Sequence, residues 1–139
     1  MQPSPDRDAT VRTRRRRLLI AAVLVIAVGL AVHLLGSGPV ADFAGDALYA
    51  VMIYLVIAVV FARAASWVVG AAAVVVCTLI ELFQLTGLPG VWAEAFWPVR
   101  LVLGAGFDAR DLIAYAVGAA AATVCDLILR RRSRARRAG

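Results

Sequence analysis

The chain has 139 residues, of which 63% are hydrophobic, and its mean hydropathy is +0.85. A soluble domain of this length cannot bury so much apolar surface, because about half of an ordinary globular sequence is apolar. The net charge of +6 does not indicate a nucleic-acid partner, because all fifteen basic residues are arginine and twelve of them lie in two tails, before Leu18 and after Leu129.

Four apolar stretches in the chain are long enough to cross a membrane. Residues 1–17 form an arginine-rich tail that we expect to be disordered in the cytoplasm. The first span follows at 18–35, and cleavage there as a signal peptide is the alternative, although Pro39-Val40-Ala41 is a poor cleavage site. The remaining spans are predicted at 46–62, 67–88 and 111–129, before a second arginine-rich tail at 130–139.

The longest connection, about 89–110, is predicted to be an interfacial or re-entrant segment. Its rings Trp92, Phe96 and Trp97 are typical of an aromatic belt at headgroup level. The chain is therefore predicted to be an all-α polytopic membrane protein, with one four-helix domain over residues 18–129.

The arginine distribution predicts the orientation of the bundle. With the N-terminus inside, the inner segments carry six, one and six arginines, and the outer loops carry only Arg100 and Arg110. This bias follows the positive-inside rule, and basic tails also suit anionic lipid headgroups. We expect both termini in the cytoplasm of a bacterium, with the chain in its inner (cytoplasmic) membrane.

Polar side chains between the tails fall mostly at one membrane depth, near the outer ends of the predicted spans. A charge at the centre of a span costs roughly 2.5–3.5 kcal/mol on insertion scales, so such residues need partners or a function. We expect them to converge on an outward-opening, ligand-binding pocket. The candidates are His33, Asp46, Glu81, Gln84, Arg100, Asp108, Asp111 and Tyr115. Asp126 is the exception and is expected to pair locally with the arginine run that follows it.

Helical spacing sharpens this expectation. Glu81 and Gln84 are three residues apart and therefore share a helix face. A second stripe places a carboxylate and a phenol above small residues that allow close helix contact. Its members are Asp111, Tyr115, Gly118 and Ala122.

Each candidate also has a purely structural interpretation. The three aspartates could cap helix N-termini, His33 could sit alone at the headgroup boundary, and Tyr115 could be a packing residue. Glu81 is different because it lies inside its predicted span, where burial penalises a charged carboxylate unless a cation offsets it. Arg100 is the expected outer-side partner, as a structural clamp or as part of a site.

The segments Glu81-Leu82-Phe83-Gln84, Arg100 and Leu103 to Gly118 resemble a bacterial membrane family, domain of unknown function 2809. The first half of that family is similar at His33, Gly45-Asp46, Tyr54 and Arg63. The combined pattern is E-x-x-Q, R and F-D-x-x-D-L-x-x-Y-x-x-G, and the resemblance runs from about His33 to Gly118. The order is also similar to VanZ-like proteins, which are linked to tolerance of the glycopeptide teicoplanin but tend to have Asn in place of Tyr115. The resemblance implies four helices and a polar cluster shared with a cell-envelope family, without a substrate.

Our leading hypothesis is a protein that binds a polar lipid headgroup or a peptidoglycan-precursor lipid. Arg100 would meet phosphate, for which its planar guanidinium is suited, and the carboxylates would meet sugar, amine or a bridging cation. No cofactor and no nucleic acid is expected, and homo-oligomerisation stays open.

Three alternatives belong to other classes. The carboxylates and His33 could hold a divalent metal in a membrane enzyme, although the chain has one histidine and no H-E-x-x-H motif. Glu81 could be the titrating group of a transporter subunit, although the inner half of its span is apolar. The small-residue stripes could equally serve a structural or assembly partner.

Overall fold

The computed structural model describes residues 5–104 and 106–138, and within these ranges it contains helices and no strands. Four stretches in the described part are long and apolar enough to cross a membrane, namely Ala9–Leu35, Pro39–Val60, Ser66–Gln84 and Asp111–Ser133. The predicted four-helix polytopic bundle is confirmed. The helices are α1 (Pro5–Leu35), α2 (Pro39–Val60), α3 (Ser66–Gln84), α4 (Leu88–Ala95), α5 (Pro98–Leu103) and α6 (Ala109–Ala138).

Helix α2 begins seven residues earlier than the predicted span. Gly38 has a φ of 82°, which a glycine adopts without strain, and Pro39 stands in the first turn, where its missing N–H costs no hydrogen bond. The early start places Asp46 about two turns inside the helix. Asp46 therefore cannot cap the N-terminus of α2, and that interpretation is wrong.

Helix α3 ends four residues before the predicted limit of 88. Gly87 has a φ of 72° and Pro89 follows in the first turn of α4, so the chain turns there. The segment predicted to be interfacial or re-entrant forms α4 and α5, of eight and six residues. At 1.5 Å per residue, neither helix could cross a hydrocarbon layer of about 30 Å.

The arginine-rich segment expected to be disordered is helical over residues 5–17, where it continues directly into α1. Residues 1–4 lie outside the described residues. Arginine is a good helix former, and Arg14 and Arg15 bind groups on other helices, so this part of the chain is ordered by contacts. Helix α6 likewise continues past 129, through most of the second basic tail.

Helices α2, α3 and α6 pack on one another, whereas α1 packs its backbone closely against α2 alone among the described helices. In the most apolar 18-residue stretch of the α1 span, only 6% is buried inside the protein. The corresponding share in the other three spans is 22–33%. The core shared by the bundle consists of Leu18, Tyr54, Leu55, Ala58, Val69, Ala73 and Ala119.

Glycines set the closest helix approaches. A Cβ added to Gly118 would collide with the carbonyl oxygen of Ala47 on α2, and one added to Gly70 would collide with the hydroxyl of Thr123 on α6. Both close approaches are possible only because glycine has no side chain, as in other membrane helix pairs. The small residue predicted in the Asp111–Ala122 stripe therefore lies at the α2–α6 interface.

One carboxylate joins four parts of the bundle. The Oδ2 atom of Asp126 accepts hydrogen bonds from Arg14 Nη2 (3.0 Å), Tyr54 Oη (2.9 Å), Ser66 Oγ (2.7 Å) and Arg130 Nε (3.1 Å). The local pairing expected of Asp126 is correct for Arg130, but the other three donors come from α1, α2 and the start of α3. We refer to these five residues as the Asp126 cluster, and to this end of the bundle as the Arg-rich end.

Both arginines of the Asp126 cluster, and the neighbouring Arg15, bind backbone carbonyls at the end of α2 and in the turn beyond it. Arg14 donates to Ala62, Arg15 Nε donates to Val59 at 3.2 Å, and Arg130 Nη2 donates to Ala64 at 2.7 Å. The last carbonyls of a helix have no partner within the helix, and cations are favourable there. The arginines therefore satisfy polar groups that hydrocarbon could not.

The Gly118 contact gives a first prediction. Replacing Gly118 with Ala should lower the free energy of unfolding by about 1–3 kcal/mol, because the new methyl group overpacks the α2–α6 interface. Reversible unfolding in mixed detergent micelles, followed by circular dichroism, measures the change. Gly45→Ala is the matched control, since a Cβ there meets no atom within 4 Å. Equal stability of the two variants would contradict the close contact.

The Asp126 cluster gives a second prediction. Arg14→Gln should lower the free energy of unfolding by about 1.5–3 kcal/mol, the usual size of a hydrogen bond to a charged group. Arg16→Gln, two residues away on an exposed part of α1, should have little effect. In a double-mutant cycle, Arg14→Gln should cost much less once Asp126 is Asn. Additive effects would show that the pair does not hold α1 to α6.

Candidate functional site

The acidic end of the bundle, opposite the Arg-rich end, is organised around Glu81. Its side chain is completely buried, and both carboxylate oxygens have partners. Oε1 accepts the backbone N–H of Asp108 at 2.6 Å, and Oε2 accepts the hydroxyl of Tyr115 at 3.1 Å. Glu81 therefore ties the end of α3 to the first turns of α6.

Gln84 makes the corresponding link from α3 to α5. Its Nε2 donates to the carbonyl oxygen of Leu103 at 2.7 Å, while its Oε1 is buried with no hydrogen-bond partner among the described residues. A Cβ on Gly104, the residue after Leu103, would collide with the amide of Gln84. Because the Leu103 carbonyl requires a donor, the amide orientation is set, and the atom left without a partner is an acceptor.

Two aspartates face each other beside Glu81. The carboxyl groups of Asp46 on α2 and Asp111 on α6 lie within hydrogen-bonding range, and the charge of Glu81 acts on both. Both aspartates are half-buried. Two carboxylates this close do not both stay ionised on their own: they either share one proton or take a positively charged partner.

Asp108 has the capping role that was one of its interpretations. Its Oδ1 accepts the N–H of Arg110 at 2.9 Å, in the first turn of α6, and its own N–H binds Glu81. The Asp108 side chain is exposed. It positions the start of α6 and lies behind the site.

Tyr49 also belongs to this region and is absent from the candidates named from sequence. Its hydroxyl donates to the carbonyl oxygen of Val102 at 2.6 Å, and its ring lies 6.1 Å from that of Tyr115 at an interplanar angle of 52°. The signal available in the sequence is its spacing, because Tyr49 is three residues beyond Asp46 and on the same helix face.

A cavity of about 720 Å³ lies between α1 and the ends of α2, α3, α5 and α6. Six of the eight candidate residues line it, whereas Glu81 and Asp108 do not. Apolar side chains of α1 line it as far as Val25, about 12 Å along the helix from His33. The polar lining residues are His33, Asp42, Asp46, Tyr49, Gln84, Arg100, Asp111 and Tyr115. That any of them binds a ligand stays a prediction.

The expected Glu81–Arg100 clamp is not present. Within the described part of the chain no ion pair joins the two residues, because both oxygens of Glu81 are occupied by Asp108 and Tyr115. The Arg100 side chain is instead exposed at the cavity. The described residues also contain no group of three or more His, Cys, Asp or Glu side chains placed to hold a metal ion.

The Glu81–Tyr115 hydrogen bond gives a third prediction. Tyr115→Phe should lower the free energy of unfolding by about 1–3 kcal/mol, because it leaves a buried carboxylate oxygen without its donor. The same change made in a Glu81→Gln background should cost less, because a neutral amide forms a weaker hydrogen bond with the phenol than a carboxylate does. Unfolding in mixed micelles provides the measurement. A full cost in both backgrounds would show that the hydroxyl does not act through Glu81.

Comparison with known proteins supports the resemblance described above. A protein-family model, described as a protein of unknown function (DUF2809), matches residues 35–119, which is more than half of the chain. The match includes α2 to α5 and the first turns of α6, and therefore most of the cavity lining. No curated protein and no solved structure matches the chain. The chain is a multi-pass membrane protein that belongs to the DUF2809 family.

Proposed function

We propose that this protein binds the polar headgroup of an envelope lipid in the cavity at the acidic end. The observation that carries the proposal is the composition of the cavity wall. Carboxylates, phenols, an amide and Arg100 surround one part, while Val25, Ile26 and Leu30 of α1 line another. A lipid has the same division, with a polar headgroup joined to apolar chains.

Arg100 is the group we assign to the phosphate of such a ligand. Its side chain is exposed at the cavity and forms no ion pair within the part of the chain that the structure describes. A planar guanidinium binds phosphate oxygens in a bidentate manner and is less strongly hydrated than an ammonium. A ligand without an anionic group would leave this arginine without a role.

The envelope side of the membrane follows from the arginine count. If the Arg-rich end faces the cytoplasm, as the positive-inside rule predicts, the acidic end and its cavity open outward. We therefore propose a location in the bacterial inner membrane, with the ligand taken from the outer leaflet. The resemblance to VanZ-like proteins supports a role in the envelope, and lipid-linked peptidoglycan precursors are also anionic headgroup ligands.

The competing functions have less support. A metal-dependent enzyme would need a ligand group that the described residues do not provide. A transporter would need polar groups through the bundle, but Ala73 on α3 and Ala119 on α6, which lie between the cavity and the Asp126 cluster, are buried and apolar.

The role of Arg100 gives the fourth prediction. Arg100→Gln should weaken the binding of phosphate-bearing lipids by about tenfold, the usual effect of losing one charge-assisted hydrogen-bonded contact. Native mass spectrometry of the purified chain, titrated with phosphatidylglycerol from detergent, measures the retained lipid. Arg110→Gln is the matched control, because Arg110 lies on the same side of the membrane and does not line the cavity. Equal retention by both variants, or none by the unmodified chain, would refute the proposal.

A further inference from the structure

The side chains that line the cavity offer more hydrogen-bond acceptors than donors. The hydroxyl of Tyr49 donates to the carbonyl oxygen of Val102, and that of Tyr115 donates to Glu81. Toward the cavity, both phenol oxygens can therefore only accept. Asp42, Asp46 and Asp111 contribute carboxyl oxygens, which accept when ionised. The donors that line the cavity are Arg100 and His33, both of which are exposed.

An independent feature of Gln84 points to the same need. Its side chain is 7% exposed and lines this cavity, and its Oε1 is buried without a partner within the described ranges. The Nε2 contact with the Leu103 carbonyl prevents the amide from turning to offer a donor instead. A buried acceptor without a donor costs about 1–3 kcal/mol, so a ligand that donates to it would recover that cost.

We infer that the cavity recognises a phospholipid headgroup carrying a primary ammonium, such as phosphoethanolamine. The ammonium would lie against Asp46, Asp111 and the Oε1 of Gln84, with the phosphate on Arg100. This assignment rests on the proposed headgroup-binding function and specifies its ligand class. A primary ammonium supplies three N–H donors and one positive charge, which match an amide oxygen and a pair of facing carboxyl groups.

Two other cations fit less well. Choline carries no N–H donor, and it is usually held by the faces of several aromatic rings, whereas Tyr49 and Tyr115 pack against each other at 6.1 Å. A divalent metal prefers six or more oxygen ligands, often including several carboxylates, and the described residues contain no group of three acidic, His or Cys side chains placed for it.

The test compares headgroups on the full-length chain. The chain, purified in detergent, is mixed with equal amounts of dioleoyl phosphatidylethanolamine, phosphatidylcholine and phosphatidylglycerol, and the retained lipid is read by native mass spectrometry. We expect phosphatidylethanolamine to be retained about tenfold more than either of the others, because the ammonium adds charge-assisted hydrogen bonds. Soluble phosphoethanolamine as a competitor shows whether the headgroup alone is enough or the lipid is required.

Variants locate the ammonium. Asp46→Asn combined with Asp111→Asn should reduce retention of phosphatidylethanolamine to the level of phosphatidylglycerol. Glu94→Gln removes an exposed carboxylate of α4 outside the cavity and should change nothing. If the double variant does not fold by circular dichroism, the comparison of ethanolamine with choline on the unmodified chain still decides the question, since it needs no substitution.

The outcomes separate this inference from the function on which it rests. Equal retention of the three lipids, lowered by Arg100→Gln, would refute the ammonium assignment and leave headgroup binding in place. A preference for ethanolamine that survives the double aspartate substitution would also refute it. No retention of any lipid above the bulk detergent level would refute both.

Discussion

The interaction on which the bundle depends is the gathering of four donors on one carboxylate oxygen of Asp126. Hydrocarbon offers no hydrogen bonds, so a charged group in a membrane helix must find its partners within the protein. Here the partners come from α1, α2, α3 and α6, and Arg14 supplies a direct link from α1 to α6. Because α1 otherwise packs closely on α2 alone among the described helices, this link helps to hold the helix that forms one wall of the cavity.

At the acidic end the buried polar side chains are also paired within the protein, but with backbone groups in place of arginines. Glu81 and Gln84 are one helical turn apart on α3; Glu81 accepts the backbone N–H of Asp108, just before α6, and Gln84 donates to the carbonyl oxygen of Leu103, the last residue of α5. These two side chains therefore fix the loop that carries Asp108 and leads into Asp111. Glu81 is a positioning residue here, completely buried, and the groups that line the cavity are its neighbours.

The four spans and the common depth of the polar residues could be predicted from the sequence, because long apolar stretches and helical spacing are local properties. The partners of Asp126 could not be, because Arg14 lies 112 positions away and any of several arginines was an equal candidate. Arg100 was misassigned for a related reason. Charge alone favoured Glu81, but backbone N–H groups compete for carboxylates, and the position of the Asp108 N–H depends on turns such as the one at Gly104.

The apolar layer between the two ends has a consequence for exchange. Ala73 on α3 and Ala119 on α6 lie between the cavity and the Asp126 cluster, and they offer a charged headgroup no polar partner. Under the proposed headgroup binding, a molecule held at the acidic end would therefore leave by the face through which it arrived. Such a protein would sample the composition of a single leaflet and would leave the asymmetry between the two leaflets unchanged.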